Sequence, residues 1–285
     1  MRKGIILAGG YGSRLYPLTN SITKHLLPIY DKPMIYYSMS VLLLAGIRNI
    51  LIISNRRYIG LYKNLFKNYN KLGIKISFEI QNKPRGIAEA FIIGKKFIGN
   101  SKVALILGDN LFFGTTFQLI LSKANLSNNN LIFTYNVSNP NQYGVLTRKK
   151  MVPFKIIEKP KKYLSNEVVT GLYFYNNKII KIAKKLKPSK RGELEISDIN
   201  QYFLEQKNLK IINLGRGFTW FDAGNPRSLL NASSFIKSMQ DRHMFKIGSI
   251  EEICLNKKFI TKDKFKKYLK TIPNCDYKNY LNNLE

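Results

Sequence analysis

Leu7-Ala8-Gly9-Gly10-Tyr11-Gly12-Ser13-Arg14 follows directly on the apolar run Gly4-Ile5-Ile6-Leu7, and this stretch decides the fold. A β-branched run that breaks into closely spaced glycines reads as a strand ending in a tight turn. Glycine there allows φ > 0 and lets backbone N–H groups reach a ligand with no Cβ in the way. Aligned N–H dipoles favour negative charge, and Arg14 adds a guanidinium able to fork onto phosphate oxygens. A glycine turn after a strand is also an ordinary structural turn. Arg14, and Lys24 in Thr23-Lys24-His25-Leu26-Leu27-Pro28, turn the reading toward a nucleotide-phosphate site. Two common templates do not fit. A P-loop ends in Gly-Lys-Ser/Thr, which is missing here, and the dinucleotide fingerprint wants a third glycine where Leu15 stands. Its acidic partner is missing too, because Asp31 lies in a proline-bounded loop.

Outward from that turn, β-branched runs alternate with helix-period segments. Strands are expected at 50–53, 74–80 and 103–107, with helices at 35–45, 58–69 and 88–97. The rhythm predicts an α/β, Rossmann-like, mostly parallel mixed sheet flanked by helices. Ligands in such sheets bind beyond the carboxyl ends of strands, where Gly9, Gln81 and Asp109 all fall. The second half is more mixed, with strands expected at 131–135, 154–158, 171–175 and 209–214 and a helix at 176–186. From Pro226 the pattern is helical, then lysine-rich and irregular.

The charge is lopsided: 47 Lys+Arg against 17 Asp+Glu in 285 residues, a formal net charge of +30. Such a balance suggests nucleic acid or an anionic membrane surface. Here the lysines are scattered among Asn and Ile, and no basic strip interleaved with aromatics stands out. The reading is a solvated surface that also draws in anionic substrates, with no specific nucleic-acid partner and no membrane. Residues 34–46 are apolar but too short to span a bilayer, and a cytoplasmic location is expected. Cys254 and Cys275 make no framework, and His25 and His243 no metal pair.

Several polar residues stand where chemistry is possible. Asp109 ends the buried run 103–107, facing the crevice, where Mg²⁺ takes one or two carboxylates together with phosphates and waters; a turn-capping aspartate is the alternative. Asp222, in Trp220-Phe221-Asp222-Ala223-Gly224, is a second carboxylate or a turn aspartate before glycine. Gln81 and Gly86 lie in Gln81-Asn82-Lys83-Pro84-Arg85-Gly86-Ile87-Ala88-Glu89-Ala90. This is an amide with paired donor and acceptor for a base edge, or a plain loop before a helix. Glu158-Lys159-Pro160 offers an acceptor for hydroxyls and an ammonium for phosphate, or is a solvated pair.

Taken together in this order, these segments resemble the sugar-1-phosphate nucleotidyltransferases, and within them the glucose-1-phosphate thymidylyltransferases. The likeness runs through Leu107-Gly108-Asp109-Asn110, Tyr143-Gly144-Val145, Glu158-Lys159-Pro160, Val169-Thr170-Gly171, Arg191-Gly192-Glu193-Leu194-Glu195-Ile196 and Trp220–Gly224, and covers nearly the whole chain. It implies a Mg²⁺-dependent transfer from dTTP to glucose 1-phosphate, the first step toward dTDP-sugars such as dTDP-rhamnose for surface polysaccharide. UTP or CTP, or another hexose phosphate, is the near alternative; a basic nucleic-acid-binding protein is the distant one. Arg14, Lys24, Lys159, Asp109 and Asp222 become the catalytic set, the two aspartates holding the metal. Gly9, Gly10, Gly12, Ser13, Arg14, Lys24, His25, Gln81, Gly86 and Asp109 become the nucleotide site. Asn110, Tyr143, Gly144, Glu158, Lys159, Val169, Thr170 and Arg191 become the sugar-phosphate site. The resemblance also implies a homotetramer and a product-feedback site, sought near Phe113-Gly114-Thr115-Thr116 and Gly215-Arg216-Gly217. It departs from the family at His25 and Glu89, where glutamine is usual, at Arg85, where aspartate is, and at Ala223, where threonine is. The expected organisation is a catalytic core at 1–230, its nucleotide half about 1–125 and its sugar-phosphate half about 126–230, with 231–285 a helical extension of the same domain.

The reading of the charge has a direct check. The protein should stick to a generic polyanion at low salt and release it as salt rises. Selective RNA binding that survives near-physiological salt would overturn it.

Overall fold

The computed structural model describes residues 2–284. The first half runs β1 (Arg2–Leu7), a small hairpin of β2 (Pro28–Ile29) and β3 (Lys32–Pro33), α1 (Met34–Leu44), β4 (Asn49–Ser54), α2 (Ile59–Leu65), β5 (Lys75–Ile80), α3 (Glu89–Ile93), α4 (Lys95–Ile98), β6 (Lys102–Leu107), β7 (Asn110–Gly114) and α5 (Phe117–Leu126). The second runs β8 (Asn130–Asn136), β9 (Gly144–Lys149), β10 (Val152–Glu158), β11 (Glu167–Tyr175), α6 (Ile179–Lys185), α7 (Ile196–Glu205), β12 (Leu209–Asn213) and β13 (Phe218–Asp222). Helices α8 (Pro226–Arg242), α9 (Ile250–Asn256), α10 (Lys262–Leu269) and α11 (Asp276–Asn282) close the chain.

A nine-stranded sheet runs β10-β9-β11-β6-β1-β4-β5, with β8 paired to β11 and β12 to β8. The strands from β6 through β1 and β4 to β5 are all parallel. Strand β11 runs antiparallel to β6, and with it the sheet changes character. Alternation along the strands sorts the core. Ile6, Ile50, Ile52, Ala104 and Ile106 face one side with residues of α1, α5 and the C-terminal helices. Ile5, Leu51, Ile53, Val103 and Leu105 face the other, against α3, α6 and α7. Because β1 has β4 on one side and β6 on the other, the crevice opens at the carboxyl ends of β1 and β6, as expected for a switch point in an open sheet.

Three expectations need correction. The helix expected at 88–97 is two short helices broken at Gly94, whose ψ of 7° leaves the helical range. A Cβ at Gly94 would lie 3.0 Å from Ile5 Cδ1, so glycine lets the chain lie close on the sheet at the cost of continuity. The helix expected at 58–69 stops at Leu65 and gives way to a 3₁₀ turn at Tyr69–Leu72. Within the helical extension expected at 231–285, the lysine-rich stretch expected to be irregular is helical as well. In α10, Phe265, Tyr268 and Leu269 are buried at helical spacing, a stripe that the intervening lysines hide from a composition reading. The division expected at 230 falls inside α8. No helix of the described residues is long and apolar enough to cross a membrane. Both cysteines are free, Cys254 buried and Cys275 exposed.

The C-terminal helices are held by a buried carboxylate. Glu251, 3% exposed, accepts hydroxyls from Tyr277 at 2.6 Å, Tyr69 at 3.2 Å and Tyr268 at 3.3 Å. Burial, and then the charge of Glu251, push all three phenols up. Glu251→Ala strands these hydroxyls and should cost about 2–4 kcal/mol of unfolding free energy. Urea titration reads this directly, and an unshifted midpoint would refute the role.

Candidate active site

The glycine turn leaves β1 with Gly10 at φ +91° and Gly12 at φ +65°. A Cβ on Gly12 would meet Thr19 Cγ2 at 2.8 Å, while the Thr19 hydroxyl donates to the Gly12 carbonyl at 2.9 Å. At the end of β6, the Ser38 hydroxyl on α1 donates toward the carbonyls of Leu107 and Asn110, at 3.0 and 3.2 Å. That holds the turn carrying Asp109.

Two adjoining chambers open above these strand ends. The larger, with a cavity volume of about 390 Å³, is lined by every residue expected at the nucleotide site: Gly9, Gly10, Gly12, Ser13 and Arg14 from the turn, Lys24 and His25 from the next segment, Gln81 and Gly86 beyond β5, and Asp109. The smaller, about 160 Å³, is lined by Asn110, Tyr143, Gly144, Glu158, Val169 and Asp222. Arg14, Asp109 and Lys159 line both. Arg191 lines the larger chamber rather than the smaller one where it is expected. Its guanidinium reaches Glu193 at 2.8 Å, Glu195 at 3.3 Å and Glu158 at 3.6 Å.

Thr170 lines neither chamber. Side chains alternate along β11, so Val169, Gly171 and Tyr173 face the smaller chamber, while the Thr170 hydroxyl is buried and donates to the Phe133 carbonyl at 3.1 Å. His25 lines the larger chamber but is 1% exposed, and its Nδ1 is committed to the hydroxyls of Thr23 at 3.2 Å and Tyr62 at 3.3 Å. Burial, then the neighbouring Lys24, lower its pKa to about 3, so the ring is neutral at pH 7.

The junction between the chambers is crowded with charge. Lys24 Nζ donates to Asp109 Oδ2. Burial alone would raise the Asp109 carboxyl, but the charge of Lys24, with hydrogen bonds from Lys24 and Asn110, holds it well below the usual range. Asp222 goes the other way: burial first, then the charge of Asp109, push it up to about 6. The two aspartates meet because β13 pairs with β7, setting Asp222 opposite Asn110, and the Ala223 N–H donates to the Asp109 carbonyl at 3.0 Å. Arg14 Nη2 and Asp222 Oδ1 both press on Gly224, where a Cβ would lie 2.7 and 2.9 Å from them. Lys159 sits in the left-handed region, φ +41°, its N–H donating to the Tyr143 carbonyl at 2.9 Å. A non-glycine residue held there costs about 1–3 kcal/mol, and such positions cluster at functional sites. Burial raises the Glu158 carboxyl, which accepts the Ser197 hydroxyl at Oε2.

Sequence reading missed Ser197, Tyr173, Gln142 and Trp220 as lining residues. Trp220 carried a signal: it is the only tryptophan and directly precedes the Phe221-Asp222 segment. Its Nε1 donates to Asn110 Oδ1 at 2.7 Å. Nothing in the spacing marks the other three. Phe113, Gly114 and Thr115, where a feedback site is expected, line a separate cavity of about 290 Å³ with Phe245 and Lys246; Gly215-Arg216-Gly217 does not.

Residues 3–239 match the family model described as nucleotidyl transferase. The chain is 46% identical over 281 residues to a glucose-1-phosphate thymidylyltransferase of Neisseria meningitidis, covering 98% of each. It is 43% identical over 282 residues to one of Mycolicibacterium smegmatis, covering 98% of this chain and 97% of that one. A solved Bacillus anthracis structure that carries the glucose-1-phosphate thymidylyltransferase name and holds a sucrose superposes with a TM-score of 0.76 at 36% identity, over 82% of this chain and 95% of that one. A UDP-glucose pyrophosphorylase at 24% identity shares the fold, with a TM-score of 0.73 over 85% of this chain and 100% of its own. With this mixed sheet, the glycine turn and likeness along nearly its full length, the chain belongs to the nucleotidyl transferase family, among the glucose-1-phosphate thymidylyltransferases.

Proposed function

We propose that this chain transfers a thymidylyl group from dTTP to glucose 1-phosphate, forming dTDP-glucose and releasing pyrophosphate. The observation that carries this reading is the junction: Arg14, Asp109 and Lys159 line both chambers, so a triphosphate in one and a sugar phosphate in the other would meet there. An oxygen of the sugar phosphate attacks the α-phosphorus in line, the bond to the β-bridging oxygen breaks, and pyrophosphate leaves. No protein nucleophile is needed; positioning and charge neutralisation supply the catalysis. Backbone N–H groups of the glycine turn, with Arg14 and Lys24, hold the triphosphate and the charge that grows on the leaving group. Lys159 steers the attacking phosphate, and Glu158 accepts sugar hydroxyls. Gln81 and Gly86 take the base.

The donor set suits magnesium. Mg²⁺ needs one or two protein carboxylates beside phosphates and waters. Asp109 and Asp222, which repel one another across adjacent strands, would hold it. Held there, a divalent ion would supply positive charge to the phosphates. Leu230 on α8 is exposed, and so is Tyr30, whose backbone N–H donates to the Ser233 hydroxyl of the same helix at 3.3 Å; a second copy covering these side chains would be in keeping with a homo-oligomer. A cytoplasmic setting follows from the nucleotide substrate.

The decisive experiment is a matrix of dTTP, UTP and CTP against hexose 1-phosphates, with the product weighed by mass spectrometry. dTDP-glucose should dominate; no pyrophosphate from any pair would remove the reading. Arg14→Ala should lower kcat/KM by about 10²-fold or more with the unfolding midpoint kept, and near-normal turnover would take Arg14 out of the mechanism. Asp222 yields a second check in metal-free protein. Its folded pKa lies above the unfolded value, so ionisation opposes folding, and the penalty accrues as pH rises from about 4 through about 6. Asp222→Asn should therefore raise Tm by about 2–5 °C at pH 8 and by less at pH 4.5, while activity collapses. A pH-independent difference in Tm would contradict the repulsion.

A further inference from the structure

Gln81 lies at the end of β5 with its side chain buried, 4% exposed, in the wall of the larger chamber. An amide carries a donor and an acceptor that exchange places on a half-turn, so a free glutamine can present either to a ligand. Gln81 is not free. Its Nε2 donates to Glu89 Oε2 at 2.8 Å. A carboxylate offers only acceptors, so the half-turn would set the amide oxygen against the carboxylate. The other end, Oε1, points to the glycine turn: a Cβ on Gly9 would lie 2.3 Å from it. Among the described residues no N–H or O–H donates to Oε1, and it is not sealed from the chamber.

We propose that Glu89 is a positioning residue that sets base selectivity by locking Gln81 with its carbonyl oxygen toward the chamber, so that the bound base must bring an N–H donor. This deepens the nucleotide-transfer reading and rests on its assignment of the base to this chamber. Thymine and uracil carry an N–H at N3. Cytosine carries a lone pair there, and two acceptors facing each other are each left without a partner. The glutamine that the family usually has at position 89 could accept from Gln81 or donate to it, and would permit both orientations. The carboxylate in this chain permits one.

The lock has a signature that mere structural damage lacks. Titration calorimetry on the full chain, in magnesium buffer without sugar phosphate, measures dTTP, UTP and CTP binding to the parent, to Glu89→Gln and to Glu89→Met. The parent should bind CTP about 10²-fold more weakly than dTTP. In both variants that ratio should fall about tenfold or more, in line with losing one charge-assisted hydrogen bond. The UTP-to-dTTP ratio should not move, because these two bases differ only at C5. An unchanged CTP-to-dTTP ratio in either variant, or equal weakening of all three nucleotides, overturns the proposal. Failure of the proposed reaction would be seen separately, as a parent protein that forms no dTDP-glucose whatever its binding ratios.

Discussion

The buried side-chain amide of Asn110 joins three strands at the point where the two chambers meet. Its Oδ1 accepts the Gly171 N–H of β11 at 2.9 Å and the Trp220 indole of β13 at 2.7 Å, while Nδ2 donates to Asp109 Oδ1 at 3.2 Å. Gly171 must be glycine for this, because a Cβ there would lie 2.5 Å from the amide oxygen. One residue thus satisfies its hydrogen-bonding groups and ties its own strand β7, which follows directly on the parallel strand β6, to the antiparallel strand β11 and the returning strand β13. The site inherits its geometry from that tie. The β7–β13 register and the Ala223 N–H bond to the Asp109 carbonyl bring Asp222 to Asp109.

That geometry forces an electrostatic conflict. A buried carboxylate, Asp109, and a half-buried one, Asp222, stand close enough to repel, and only Asp109 has a lysine hydrogen-bonded to it, so Asp222 carries the cost as a raised pKa. Such a pair is poor for stability and well suited to collecting cations and the phosphates that follow them. The large positive charge of the whole chain has a different origin: most of its lysines lie on exposed positions away from the chambers. They add a general pull on anions without contributing to the arrangement that orients them.

Two of the four departures from the family pattern, His25 and Glu89, fall on side chains that pack against or hydrogen-bond others of the site. His25 is neutral and packed behind Gly108, where a Cβ would lie 2.7 Å from its Cδ2. Glu89 changes the partner offered to Gln81 without changing Gln81 itself. If the proposed roles hold, chemistry would rest on the charged residues at the junction and selectivity on Gln81 and Glu89, two separable sets of side chains.

How much was legible in the sequence follows from the range of each interaction. The glycine turn and the parallel strands rest on local pattern, strand periodicity and closely spaced glycines, readable within a few positions; at Gln81 and Gly86 the residues alone left a base site and a plain loop open, and the family resemblance chose between them. The break at Gly94 and the regularity of the lysine-rich stretch within the helical extension were not, because close packing on β1 and a stripe hidden among lysines are properties of neighbours in space. Thr170 shows the limit most sharply. Alternation dictates that Val169 and Thr170 face opposite ways, but which one faces the chamber depends on the register of β11, which itself shifts between Val169 and Tyr173 against β8. Arg191, Ser197 and Trp220 join the chambers through contacts across dozens of residues. The sequence by itself determined the chemical groups and the strand ends that carry them; only the tertiary structure decided which groups share a chamber, because pairing register and burial arise between segments distant along the chain.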